Sequence, residues 1–224
     1  MAVIYDLYSG QGGAGMGYHK AGFGTVVGVD IESQPRYPFG FVKADSLEVL
    51  ARLAAGRAPW PGAPEPDAIH ASPVCKDRSV ATPVEMRHGQ VHPRQIGPTR
   101  DLLDKIGKPW VIENVPPTPG SEYLRPDYLL CGCVVGLDEL ERERWFETGH
   151  WLPPYELRPP CHHVKPIVTV TGHGRNRNSR GTGLKSDWAR AMDIGWMTRN
   201  GLAQAVPWRY TELIGRHLLA YLEG

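Results

Sequence analysis

A glycine-rich turn between two short apolar runs constrains the fold of this chain more than any other feature. The first run, Val3 to Asp6, breaks into Ser9-Gly10-Gln11-Gly12-Gly13, and a helix-compatible segment follows from about Gly15 to Ala21. The second run, Thr25 to Val29, ends in Asp30. A strand, loop, helix and strand within about thirty residues is the unit of a parallel sheet with crossover helices.

The alternation continues along the chain. Phe41 to Asp45 reads as a third, weaker strand, Leu47 to Ala55 has helical spacing of apolar residues, and the proline-rich stretch Pro59 to Pro66 leads into a strand at Asp67 to His70. From Lys76 to Pro98 the pattern stops, and a structureless segment of this length is usually functional or disordered rather than incidental. Helix is expected at Thr99 to Ile106, a strand at Trp110 to Val115, an alternating strand at Ile167 to Thr171, and a glycine- and arginine-rich loop at Gly172 to Lys185. In between, Val134 to Trp145 mixes a short apolar run with charges. The tail from Tyr210 to Leu222 gathers Leu213, Ile214, His217, Leu218 and Tyr221 on one helical face. Strands alternating with helices argue an α/β, doubly wound sheet, and 224 residues suit a single domain over 1–224.

Composition narrows the function classes. No apolar run approaches the ~20 residues of a membrane span, and no signal-peptide pattern opens the chain, so no membrane association and a cytoplasmic location are expected. A net charge of +1 gives no global attraction to nucleic acid, so any such attraction rests on local clusters. The four cysteines, Cys75, Cys131, Cys133 and Cys161, are too few for a disulfide scaffold. Cys131-Gly132-Cys133 with Cys161-His162-His163 can be drawn as a zinc site, but C-x-C spacing is atypical of one. The three are therefore read as two small core thiols and a loop cysteine, with no metal expected.

Two segments carry reactive groups. His70-Ala71-Ser72-Pro73-Val74-Cys75-Lys76 sets a thiol just past an apolar strand, and Ile112-Glu113-Asn114-Val115 ends another strand with a carboxyl group. In a parallel sheet both fall at the same edge, where an attacking thiolate and a protonating acid make a catalytic pair. At the first turn, glycines let the backbone approach a ligand, and Asp30 can hold ribose hydroxyls. Gly10-x-Gly12-Gly13-x-Gly15 lacks the dinucleotide fingerprint spacing, which favours an adenosine-type ligand over a pyrophosphate.

In order, Asp6-Leu7-Tyr8-Ser9-Gly10-Gln11-Gly12-Gly13, Ser72-Pro73-Val74-Cys75, Glu113-Asn114-Val115 and Arg142-Glu143-Arg144 resemble the nucleotide-binding, nucleophile, acid and R-x-R motifs of the cytosine-5 DNA methyltransferases. Ala203-Gln204-Ala205-Val206 occupies the place of that family's closing G-N-A-V. The resemblance implies a Rossmann-like S-adenosylmethionine-dependent methyltransferase fold, with helices on both faces of a mostly parallel doubly wound sheet, and S-adenosylmethionine as cofactor. It implies a cofactor site from Asp6, Tyr8, Ser9, Gly10, Gly12 and Gly13, with Tyr8 stacking on adenine. Asp30 takes the ribose, Ile31 packs on the base, and Asp45 with Ser46 takes the position that recognises the adenine amino group. Pro73 and Gln204 complete that site. Catalysis falls to Cys75, which attacks carbon 6 of cytosine, to Glu113 at ring nitrogen N3, to Asn114, which braces the loop or contacts the base, and to Arg144, which reaches the cytosine carbonyl oxygen or supports the acid.

Two departures flank the nucleophile, because the family usually has P-P-C-Q where this chain has Pro73-Val74-Cys75-Lys76. Lys76 suits a phosphate contact, or an acidic group on a carboxy-S-adenosylmethionine, which would make cytosine carboxymethylation a variant reaction. The resemblance implies base flipping in DNA, a mobile catalytic loop over 76–98, and phosphate contacts from Lys76, Arg78, Arg87, Arg94, Arg142, Arg175, Arg177 and Arg180. The interval 146–195 is short for a target-recognition region, which implies a small phage-type member with relaxed sequence preference. Competing readings are a relative acting on RNA or a free pyrimidine nucleotide, and a non-catalytic DNA-binding module; the oligomeric state stays open.

Overall fold

The computed structural model describes residues 1–74, 94–117, 119, 122–154, 161–163, 167–170 and 184–224. Its frame is a seven-stranded sheet in the order β3-β2-β1-β4-β5-β7-β6. Strands β1 (Val3–Leu7), β2 (Thr25–Asp30), β3 (Gly40–Lys43), β4 (Ala68–Ala71) and β5 (Trp110–Asn114) pair in parallel. The last two, β6 (Tyr128–Leu130) and β7 (Arg144–Gly149), run antiparallel to each other, and β7 runs antiparallel to β5.

Period-two alternation sorts the strand side chains onto two faces. Ile4, Val26, Ala68 and Val111 pack with Tyr18 of helix α1 (Gly13–Ala21), with Phe23 just past its end, and with Tyr210, Ile214 and Leu218 of α6 (Trp208–Glu223). Their neighbours Tyr5, Val27, Ile69 and Ile112 face the other way, against Val49, Leu50 and Leu103 of α2 (Ser46–Ala54) and α3 (Ile96–Ile106). Leu50 and Leu218 are fully buried, each contributing about 1.5–3 kcal/mol relative to exposure. Beyond the sheet, a smaller cluster joins Leu137, Leu140 and Val168 to Trp188 and Met192 of α4 (Lys185–Met192) and Leu202 of α5 (Arg199–Gln204). No described helix is long and apolar enough to cross a membrane.

The five parallel strands lie within a residue or two of their expected positions. Helix α3 starts earlier than expected, at Ile96, so 96–98 are helical. Pro98 is tolerated because the first-turn amides have no partner inside the helix. The Glu122 carboxylate instead accepts from the amides of Ile96 and Gly97, at 3.1 and 3.0 Å. Two strands were not expected. β7 carries Glu147, whose charge disguises a buried position, and Arg100 neutralises it there through two hydrogen bonds of 2.8 and 2.7 Å. The strand expected at Ile167 to Thr171 is reduced to one bridge, Leu140 to Val168, within its described part.

Candidate active site

The carboxyl ends of β1 to β5 form one edge, as ligand sites in open α/β sheets do. At β1 the chain turns through positive φ at Tyr8 (56°), Gly10 (49°) and Gly12 (84°). Glycine is required at Gly12, where a Cβ would lie 2.7 Å from Pro38 Cδ, and at Gly13, where it would collide with the carbonyl oxygen of Val206. Carboxylates hold the turn by accepting backbone amides: Asp30 Oδ2 from Gly10 at 2.9 Å, and Asp6 Oδ2 from Gly15 at 2.9 Å. Asp6 also accepts from the Tyr37 hydroxyl at 3.0 Å.

Asp6 corrects one expectation. It is 1% exposed and braces the turn from behind, so it offers no surface to a ligand. Burial pushes its carboxyl up to about 7, against the lowering effect of the Tyr37 and Gly15 hydrogen bonds. Tyr8 is half-buried against the α2–α3 face, and its hydroxyl pairs with Thr99 Oγ1 at 3.1 Å. Ser46 Oγ accepts the Tyr8 amide at 3.1 Å, and Asp45 caps α2 through the amides of Leu47 and Glu48. Ile31, 61% exposed, stands just past β2.

Sequence reasoning missed how the C-terminal segment closes on this turn. Gln11 Oε1 accepts the Thr198 amide at 2.8 Å, and the Trp196 indole donates to the Gln11 carbonyl at 2.9 Å. Ala205 and Val206 then pack on Gly13, with exposed Gln204 just before them. Arg142 secures this arrangement from below. Expected among the DNA contacts, it is 6% exposed, and its guanidinium donates to the carbonyls of Val170, Ala203 and Ala205 at 2.6, 2.8 and 3.1 Å. A guanidinium committed to buried carbonyls is a brace, not a phosphate contact.

The other half of the edge gathers three distant segments. Asn114 Nδ2 donates to the Pro73 carbonyl at 2.9 Å, while its Oδ1 accepts the Val115 amide. This ties the end of β5 to buried Pro73, two residues before Cys75. Glu113, 6% exposed, pairs with Arg144 through an Nε to Oε1 contact of 2.9 Å. The antiparallel register brings them together, since Asn114 faces Trp145 and Arg144 opens β7. On β4, buried His70 bridges the Tyr18 hydroxyl and Ser72 Oγ at 3.0 and 2.9 Å, and burial lowers its imidazole to about 3. Arg94 is exposed. Cys75, Lys76, Arg78, Arg87, Arg175, Arg177 and Arg180 lie outside the described residues, as does most of the expected catalytic loop.

The histidine and cysteine expectations also change. Only Cys131 is buried; Cys133 is half-buried and Cys161 exposed, and the histidine beside them is His163, not His162.

No protein-family model matches the chain, and no curated protein does. Solved structures do match. The chain superposes on the Dnmt2 methyltransferase of S. pombe with a TM-score of 0.61 at 14% identity, covering 99% of both chains. A Spodoptera frugiperda DNMT2 variant gives 0.59 at 12% identity, covering 100% of both chains. An E. coli prophage protein described as a putative DNA modification methyltransferase gives 0.59 at 13% identity, again covering 100% of both. The chain has the Rossmann-like fold of the S-adenosylmethionine-dependent methyltransferases. Identities this low speak to the fold, and the chemistry rests on the residues at the edge.

Proposed function

We propose that this chain transfers a methyl group from S-adenosylmethionine to carbon 5 of a cytosine flipped out of DNA. The observation that carries this reading is the convergence of the Pro73 carbonyl, Asn114, Glu113 and Arg144 on the sheet edge that also holds the glycine-rich turn. In the sequence Cys75 stands two residues past Pro73.

The turn fits the cofactor. Gly10, at positive φ, has open space where a side chain would project. Ser9 Oγ is buried without a hydrogen-bond partner among the described residues, and the exposed Ile31 offers an apolar face beside Asp30. Tyr8 to Gly13, Asp30, Ile31, Asp45 with Ser46, Pro73 and Gln204 would hold it. When bound, the cofactor supplies an electrophilic methyl group on a sulfonium.

Cytosine is aromatic and its carbon 5 needs activation. The Cys75 thiolate adds at carbon 6, forming a C–S bond and moving ring electron density toward carbon 5. Glu113 stabilises that charge by protonating or hydrogen-bonding N3, with Arg144 holding its carboxyl group in register. Carbon 5 would take the methyl group as the donor S–CH3 bond breaks and its electron pair stays on sulfur as a neutral thioether; a base then removes the carbon 5 proton, and the Cys75 C–S electrons return to the thiolate. Flipping costs a few kcal/mol, which the arginines of the two basic loops and Arg94 offset through phosphate contacts.

Duplex DNA incubated with the protein and methyl-labelled S-adenosylmethionine should yield labelled 5-methylcytosine on nucleoside mass spectrometry. Label in RNA or a pyrimidine nucleotide but not in DNA would move the substrate to that class. No transfer by folded, cofactor-binding protein would overturn the activity. Lys76, standing where the family has glutamine, is read first as a phosphate contact, and a carboxy-S-adenosylmethionine is the alternative. Selective loss of carboxymethyl transfer in Lys76→Gln would assign it, whereas unchanged methyl transfer fits a phosphate contact.

A further inference from the structure

Outside the candidate active site, three thiols and one imidazole meet in space. The Sγ atoms of Cys131, Cys133 and Cys161 and a ring nitrogen of His163 all lie within 4.8 Å of one another. Cys133 Sγ is 3.2 Å from Cys161 Sγ, and His163 Nε2 is 2.9 Å from Cys161 Sγ and 3.5 Å from Cys131 Sγ. We infer that these four residues bind a structural Zn2+ in a closed Cys3His site.

The geometry and the chemistry agree. Zinc–sulfur bonds of about 2.3 Å and a zinc–nitrogen bond of about 2.0 Å set tetrahedral ligands about 3.5–3.8 Å apart, so the cluster accepts the ion with small side-chain movements. Three soft thiolates and an imidazole select zinc over harder cations, and four protein ligands leave no open position for catalysis. On binding, each cysteine thiol releases its proton to solvent and gives a sulfur electron pair to the metal, while neutral His163 gives the Nε2 pair.

Outer contacts orient the ligands as zinc sites require. His163 Nδ1 lies 3.2 Å from the Asp138 carbonyl, an acceptor that keeps the proton on Nδ1 and leaves Nε2 to the metal. Cys131 Sγ accepts the Arg142 amide at 3.3 Å. A Cys133–Cys161 disulfide is the competing state, but its S–S bond of about 2.05 Å would leave Cys131 and His163 outside.

The site has a mechanical consequence. It fastens the segment Cys161–His163 to the 3-10 turn Gly132–Val135, which follows β6, and so closes a long connection onto the sheet. Arg142, bonded to Cys131 through its amide, holds the carbonyls of Ala203 and Ala205, next to the residues that pack on Gly13. The metal therefore steadies the support of the glycine-rich turn without touching a ligand there.

The test uses the full chain, expressed with added zinc and purified under reducing conditions. Elemental analysis by plasma mass spectrometry should find one zinc per chain. Cys75→Ser removes the one cysteine outside the cluster, so cobalt substitution in that variant should still give intense thiolate-to-cobalt charge-transfer bands and tetrahedral d–d bands. Adding Cys161→Ser should weaken the charge-transfer bands, and chelation should lower the melting temperature. Should that double variant fail to fold, the zinc count and the Cys75→Ser cobalt spectrum decide alone. Sub-stoichiometric zinc with no cobalt–thiolate band, or a Cys133–Cys161 disulfide in protein prepared without oxygen, would overturn the assignment.

Discussion

The two halves of the sheet's carboxyl edge are built by opposite means. From β1 to β3, carboxylates grip backbone amides within short sequence distances: Asp6 with Gly15, Asp30 with Gly10, Asp45 with Leu47. From β4 to β7, side chains reach between segments far apart in the chain, Asn114 to Pro73 and Arg144 to Glu113. The first half is a local turn that forms with its strand–helix unit. The second needs β4, β5 and β7 side by side, so its geometry depends on the wider sheet. Damage to the first should appear in cofactor affinity and damage to the second in turnover.

The largest separation should come from Glu113→Gln. It removes the acid while keeping the shape, so turnover should fall by about 10²–10⁴-fold with cofactor affinity unchanged in calorimetry. A matched loss of cofactor binding would show that the two halves are not independent.

Asp6→Asn probes the other half through pH. Burial raises the Asp6 carboxyl to about 7 in the folded chain, above its unfolded value near 4. The folded state holds that proton more tightly, so the Asp6 contribution is fully present below about pH 4 and is lost as pH rises to about 7. His70 acts in the opposite direction. Its imidazole is lowered to about 3, and the stability it favours is present above about 6.5 and lost as pH falls. Only the difference between variant and wild type isolates Asp6. Denaturant titrations should show equal stabilities near pH 4 and an advantage for Asp6→Asn that grows toward about 4 kcal/mol above pH 7. A difference that does not vary with pH would show that Asp6 titrates normally.

Gly13→Ala drives a methyl group into the Val206 carbonyl. It should cost about 3 kcal/mol of stability, and it should weaken cofactor binding by displacing the closing segment. Asn114→Ala is the mildest change, removing one hydrogen bond for about 1 kcal/mol. It should lower kcat more than it changes cofactor affinity, because it frees the segment leading to Cys75 and leaves the glycine turn alone.

The same division explains what was legible in the sequence. Glycines after an apolar run and acidic residues ending strands are local patterns, and they led to the parallel half of the sheet, with Glu113 near the end of β5; Cys75 lies outside the described residues. β7 was illegible because Glu147 reads as solvent-facing until Arg100, from α3, is known to cover it. Arg142 and Arg144 look equivalent in Arg142-Glu143-Arg144, yet Arg142 lies before β7 and reaches buried carbonyls, while Arg144 opens β7 and meets Glu113 across the antiparallel register. Gln11 and Thr198 meet across almost the full chain, and no local spacing announces that pair; the meeting of Cys131 with His163 could be drawn from the sequence, but the atypical C-x-C spacing argues against it.

The most direct test of the account is covalent capture of Cys75. DNA carrying 5-fluorocytosine should form an adduct with the protein that survives denaturation and requires S-adenosylmethionine, because fluorine cannot leave as the carbon 5 proton does. Peptide mapping should find the adduct on Cys75, and Cys75→Ser should lose both adduct and turnover while still binding cofactor, since a hydroxyl is a far poorer nucleophile than a thiolate. Full methyl transfer by Cys75→Ser, or an adduct on another residue, would contradict the mechanism.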